Sequence, residues 1–172
     1  MALHWISSTT DFSQNENSKC KKTIKEVNMK LNIKKLNEKA TVPTYGTEFS
    51  AGADLYNLDT PIVIEPHKTT LIHTGIAVEI PEGYCGLIFA RSGLATKRGL
   101  APANKVGVID ADYRGEVMIA LHNHSDVPAE VAAGERVAQL AIVPFLKAEF
   151  SVVDELSNTV RGEGGFGSTG RK

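Results

Sequence analysis

Cysteine is scarce in this chain of 172 residues: only Cys20 and Cys85 are present. Two thiols cannot form a disulfide framework, and neither a metal-binding cysteine motif nor a nucleophile elbow occurs. A surplus of charge is missing too. Nineteen basic residues face twenty acidic ones for a formal net charge of -1, so no long-range field draws the protein to nucleic acid or to an anionic membrane. No apolar run approaches the roughly 18 to 20 residues that span a bilayer, and the opening "MALHWISSTT" lacks the charged start and apolar stretch of a secretion signal. Together these absences predict a soluble, cytoplasmic protein with no nucleic-acid or membrane partner, and they leave Cys85 as a core residue. There is no repeat of fixed period, and the only low-complexity tract is the glycine-rich end.

What is present suits one ordinary domain. Hydrophobic residues at 42% and charged residues at 23% are near globular averages, and the length allows one real core. Residues 1–28 stand apart. Rich in Ser, Asn, Thr and Lys, they bury too little surface to offset the entropy of ordering and are expected to form a mobile polar leader. The folded domain is expected over 29–157, followed by a glycine-rich C-terminal segment over 158–172.

Within that domain the hydrophobic pattern has period two. Ile72, Thr74, Ile76, Val78 and Ile80 alternate in one segment, and Val117, Ile119 and Leu121 in another, as half-buried strands do. Turn signals such as "VPTYGTE", "PEGY" and "NHSDVP" separate such segments, which predicts an all-β sandwich or barrel of short strands. "SDVPAEVAAGERVAQLA" resists assignment, because Asp126 ahead of Pro128 and a run of helix formers also fit a helix start.

Three stretches carry chemistry. "RGEGGFGSTGRK" contains the G-x-G-x-x-G spacing, but only five residues follow Gly167, so no helix can complete a dinucleotide or P-loop fold. Its chemistry survives without the helix. Glycine backbone N–H groups can cup an anion, Arg161 adds a forked cation, and Phe166 offers a flat face for a base. In "ARSGLATKRG", Arg91, Ser92 and Gly93 follow the strand "YCGLIFA" and offer a guanidinium, a hydroxyl and an unhindered N–H to one oxyanion. "NKVGVIDADYRGE" places Asp110, Asp112 and Tyr113 near a turn. Reading Asp110 with Asp112 as a glycosidase pair leaves the arginines and the glycine-rich end unexplained. His122 and His124 share a strand face but have no third ligand nearby in sequence, and are read as a solvated pair.

Five blocks in order, "AGADLY", "ARSGLATKRG", "GVIDADYRGE", "GERVAQLAIVP" and "RGEGGFGSTG", resemble the trimeric deoxyuridine triphosphate nucleotidohydrolases over about residues 30 to 170. Ala90 stands where many members have proline. The resemblance implies a jelly-roll-like β fold, a homotrimer with active sites shared between subunits, and a mobile glycine-rich C-terminal arm. It also assigns "GERVAQLAIVP" to strand. The implied reaction converts dUTP to dUMP and pyrophosphate, which limits uracil in DNA and supplies dUMP for dTMP synthesis.

By the same resemblance, Asp110 activates the water that attacks the α-phosphorus, and a positioned base is worth roughly 10²- to 10⁴-fold. Arg91, Ser92, Gly93 and Gln139 hold the phosphates, joined by Arg161, Gly167 and Ser168 from the arm. The base is read by a hairpin at 104–110, including Asn104, Val108 and Ile109, with Phe166 stacked on it. Tyr113 packs beneath the deoxyribose, and Met118 lines the sugar and base pocket or serves as a strand residue. Mg²⁺ is the implied cofactor, held chiefly by substrate phosphates, while Asp54 meets the metal through water or orients an arginine. Two other readings stay open: a related dCTP deaminase, and a non-catalytic nucleotide-binding regulatory protein.

Ordering about ten arm residues costs roughly 1 to 2 kcal/mol each, whereas stacking one base returns only about 1 to 3 kcal/mol. The arm is therefore expected to act as a lid that closes only when Arg161 and the backbone N–H groups also meet a triphosphate.

Overall fold

The computed structural model describes residues 29–58 and 60–165. The leader at 1–28, together with Phe166, Gly167 and Ser168 of the arm, lies outside the described residues. Contacts divide the chain into Met1–Leu31 and Asn32–Lys172, and every strand among the described residues belongs to the second unit.

Twelve strands and one short helix follow in order: β1 (Asn32–Lys35), β2 (Thr44–Tyr45), β3 (Ala53–Tyr56), β4 (Ile62–Ile64), β5 (Thr69–His73), β6 (Ile76–Glu79), β7 (Tyr84–Ala90), α1 (Ser92–Arg98), β8 (Leu100–Pro102), β9 (Gly107–Ile109), β10 (Met118–Asn123), β11 (Ala129–Val131) and β12 (Arg136–Pro144). All ladders are antiparallel and mostly join strands distant in sequence. β3 pairs with β12, β4 with β11 and β5 with β10. Such nested pairing is a long hairpin wound over on itself, the jelly-roll solution to the exposed-edge problem. The largest sheet runs β2-β3-β12-β7-β9, and a second of three strands runs β5-β10-β8.

The period-two residues fill the core. Ile72, Thr74, Ile76, Val78 and Ile80 are all at most 2% exposed, as are Val117, Ile119 and Leu121. Burying each large aliphatic side chain contributes roughly 1.5 to 3 kcal/mol. The first series is not one strand, however. Gly75 sits between β5 and β6 at φ +69, and a Cβ there would lie 2.8 Å from Leu58 Cδ1 and 2.9 Å from Ala40 Cβ. Only glycine meets both demands, so the chain turns without losing the alternation.

Two sequence expectations need amendment. "SGLATKR" forms α1, which the strand pattern did not anticipate. Gly99 ends it at φ +65 with its N–H on the Leu94 carbonyl, and Leu94 is its one buried residue. Cys85 is only half-buried rather than a core residue. The ambiguous "GERVAQLAIVP" is the long strand β12, with Val137, Ala138 and Leu140 buried.

Candidate active site

β9 is laid against β7 in the register Gly86↔Ile109 and Ile88↔Gly107. The alternation turns Gly107 and Ile109 inward and leaves Val108 63% exposed. The preceding loop is tied to β10 by Ala103 N–H donating to the Ala120 carbonyl at 2.8 Å. It turns back at Lys105, whose φ is +64 and whose N–H donates to Pro102 O at 3.0 Å. After β9 the chain turns again, with the Tyr113 N–H on the Asp110 carbonyl at 3.2 Å.

Between these turns and β10 lies a cleft of about 280 Å³ whose lining includes Asn104, Val108, Ile109, Asp110, Tyr113 and Met118. All six were named in the sequence analysis, so the structure brings the expected catalytic Asp110 and every expected base and sugar residue except Phe166, which lies outside the described residues, to one cavity. Ile88, Ile119 and Ala120 add an apolar back wall. The Asp110 carboxylate is exposed and makes no hydrogen bond or ion pair with the described residues.

The expected phosphate-holding residues form a second, different cluster. Asp54 on β3 is buried at 3% exposure. Its Oδ1 accepts from Arg91 Nε at 3.0 Å and from Gln139 Nε2 at 3.3 Å, and its Oδ2 accepts from Arg136 Nη1 at 3.1 Å. Arg91 also donates from Nη1 to the Arg136 carbonyl at 3.2 Å. The ladder sets this up, because Gln139 on β12 is the register partner of Asp54. Arg91 follows β7 directly and caps α1, while Ser92 and Gly93 are exposed in the first turn of that helix rather than extending the strand. A Cβ on Gly93 would meet nothing within 4 Å, so the space before its N–H is open.

Arg161 lies in a turn, donating from Nε to Gly164 O at 2.7 Å, with Gly162 at φ +52.

Asp110 and Arg91 stand far apart along β7 within one chain. Ile109 is level with Gly86, so Asp110 falls level with Cys85, six positions back along β7 from Arg91. At about 3.3 Å per residue that is roughly 20 Å.

Sequence reasoning missed two contributors. Arg136 completes the Asp54 cluster, and its only signal was its place as the third residue of the block "GERVAQLAIVP". Glu116 lines the cleft with its carboxylate fastened to His73 Nδ1 at 2.9 Å and to the Gly75 N–H at 2.8 Å. Burial alone would raise the pKa of Glu116, but the His73 hydrogen bond, the N–H of Gly75 and the His73 charge outweigh it and hold the carboxyl below its ordinary range. His122 Nδ1 is spent on Thr69 Oγ1 at 2.9 Å. No cluster of three or more His, Cys, Asp or Glu that could hold a metal occurs among the described residues.

Known proteins resemble this chain in sequence and fold. The dUTPase family profile matches residues 38–170. The deoxyuridine 5'-triphosphate nucleotidohydrolase of Hydrogenobaculum sp. (strain Y04AAS1) is 51% identical over 144 residues, covering 84% of this chain and 100% of that one. That of Nautilia profundicola is 50% identical over 143 residues, covering 83% and 100%. Among solved structures, the Staphylococcus bacteriophage 80alpha dUTPase with dUPNHPP superposes with a TM-score of 0.76 at 34% identity, covering 82% of this chain and 98% of that one. A mutant dUTPase from phage phi11 of S. aureus, solved for the coordination of a structural Mg(II) ion, gives a TM-score of 0.66 at 31% identity, covering 74% and 98%. With a profile spanning most of the domain and relatives about half identical along their whole length, the chain belongs to the dUTPase family.

Proposed function

We propose that the protein hydrolyses dUTP to dUMP and pyrophosphate at a site assembled between copies of this chain. The observation that carries the shared site is the separation along β7. One triphosphate cannot touch both Asp110 and Arg91 of the same chain across roughly 20 Å of strand, so the arginine cluster of one copy serves the cleft of another. The segment after β12 fits this arrangement. Leu146, Phe150, Val152 and Leu156 are 86% or more exposed, an apolar series that needs a partner surface, and a homotrimer supplies one.

In the cleft, the backbone and Asn104 of the 104–110 hairpin read the uracil edge. Buried donors and acceptors left unpaired by cytosine make the wrong base costly. Val108 and Ile109 close around the base, and Tyr113 and Met118 border the deoxyribose. Asp110, exposed and without a protein partner among the described residues, takes a proton from a water molecule as that water attacks the α-phosphorus. The bond from the α-phosphorus to the bridging oxygen breaks, and pyrophosphate leaves with that oxygen. Arg91, Ser92, Gly93 and Gln139 bind the phosphate oxygens, where fixed donors stabilise charge developing in the transition state. Arg161, Gly167 and Ser168 join from the C-terminal arm while Phe166 stacks on the base, closing the site as a lid.

Mg²⁺ is the proposed cofactor. The described residues form no carboxylate cage, and Mg²⁺ commonly takes its oxygens from substrate phosphates and water. When bound it neutralises phosphate charge. Asp54, whose oxygens already accept three donors, is suited to orienting Arg91 and reaches the ion only through water. None of the described helices is long and apolar enough to cross a membrane, and we place the enzyme in the cytoplasm, with the nucleotide pool.

Pyrophosphate release with Mg²⁺ measured across dUTP, UTP, dTTP and dCTP tests base, sugar and reaction together. Turnover of dUTP well above the other three is expected. Deamination of dCTP, or binding of dUTP without release, would overturn the reading.

A further inference from the structure

Tyr113 is folded back over its own chain. Its hydroxyl donates to the Glu116 carbonyl at 3.0 Å, and a Cβ placed on Gly115 would lie 2.6 Å from the ring Cζ and 3.0 Å from Cε2. Gly115 is not among the positive-φ glycines. No positive φ reserves the position for glycine, so what a side chain there would have to displace is the tip of the Tyr113 ring.

The residue that follows fastens this arrangement to the barrel. The Glu116 side chain is 22% exposed. One of its oxygens accepts the Gly75 N–H at 2.8 Å and the other meets His73 Nδ1 at 2.9 Å. Alongside, Thr74 Oγ1 donates to the Val117 carbonyl at 2.5 Å, and the Val117 N–H donates to Ile76 O at 2.9 Å. Four bonds thus clamp residues 116–117 onto the turn between β5 and β6, and the carbonyl that holds the Tyr113 hydroxyl belongs to the clamped residue. The ring is held at its backbone by Asp110 O and at its tip by Glu116 O. The ring is 42% exposed, so this hydroxyl bond to the clamped residue is what biases it to stand as a wall of the cleft.

We propose that Gly115 and Glu116 are positioning residues that fix Tyr113 and thereby set how strongly the site rejects a 2′-hydroxyl. This rests on the dUTP reading above. A wall that cannot retreat makes the extra oxygen of a ribonucleotide collide, whereas a ring that can swing gives way to it. Glu116 acts through the ring and touches no reacting atom.

The test is kcat and KM for dUTP and for UTP, with Mg²⁺, in the full chain and in its Gly115→Ala, Glu116→Ala, Glu116→Gln and Tyr113→Phe variants. Gly115→Ala is expected to raise KM for dUTP and to lower the dUTP-to-UTP ratio of kcat/KM about tenfold or more, the scale of a misplaced methyl group in a pocket. Glu116→Ala and Tyr113→Phe should lower the ratio by less. Glu116→Gln, which keeps an acceptor for the Gly75 N–H, should restore most of it. A purely structural role would lower stability or kcat and leave the ratio alone. An unchanged ratio in folded Gly115→Ala overturns the proposal, and if that variant does not fold, an unchanged ratio in Tyr113→Phe does so. If the unaltered protein releases no pyrophosphate from dUTP, it is the function reading that fails; calorimetry with non-hydrolysable dUTP and UTP analogues then still decides whether Gly115 sets sugar preference.

Discussion

Asp54 and Asp110 carry the same carboxylate in opposite surroundings. Asp54 is buried on a central ladder with both oxygens engaged by Arg91, Arg136 and Gln139, while Asp110 stands exposed on the rim of the cleft with no partner among the described residues. A buried charge survives only when paired, so Asp54 is committed to holding its neighbours in place. A carboxylate without a partner has its lone pairs free for an incoming molecule. Burial and partners, more than residue type, thus separate an organising aspartate from one suited to act.

The sharpest way to break this contrast is to neutralise each carboxylate in turn. Asp110→Asn is expected to lower kcat for dUTP by about 10²- to 10⁴-fold, the worth of a positioned base. Binding of a non-hydrolysable dUTP analogue, followed by calorimetry, should persist, since the rest of the cleft is untouched. Unchanged turnover would remove Asp110 from the chemistry.

Asp54→Ala should behave differently. It strands Arg91 and Arg136 beside a vacated carboxylate, with an expected stability loss of about 3 kcal/mol on chemical denaturation. Turnover should fall by less than in Asp110→Asn and mostly through KM, as the arginine is misaimed rather than removed. A stability equal to that of the unaltered protein would mean the cluster organises nothing.

The two regions were not equally legible in sequence. In the cleft the residues themselves singled out Asp110 and Tyr113 beside a turn, while Asn104, Val108, Ile109 and Met118 were named through the family resemblance; all six fall within the stretch 104–118. The Asp54 cluster depends on pairs 37, 82 and 85 residues apart, and no local pattern announces that Arg136 will meet Asp54. Strands were readable wherever one face is buried and the other more open, as in β10. Helix α1 was not, since seven residues with only Leu94 buried give no helical period, and its N-cap Arg91 makes no side-chain capping bond. Glu116 escaped notice because its partners, His73 and Gly75, arrive from another strand pair.

Glu116 stands between the two aspartates: both its oxygens are engaged, yet it lines the cleft and is only partly buried. Its carboxyl is held below the ordinary value of 4.5, burial being outweighed by the hydrogen bonds and charge of His73 and by the N–H of Gly75. A carboxylate whose folded pKa is depressed adds stability at pH above its unfolded value, and that contribution disappears as pH falls from there through the folded value. The window therefore opens at 4.5 and extends downward. Glu116→Gln does not titrate, so its melting temperature should lie a few degrees below that of the unaltered protein between about pH 5 and pH 7, with the gap shrinking at lower pH. The effect is the smallest of those expected here because the group is partly solvated and its pairing with an exposed histidine is screened. A gap that instead widens in acid would mean the Glu116 carboxyl is favoured in its protonated form, and its bond to the Gly75 N–H would then not depend on its charge.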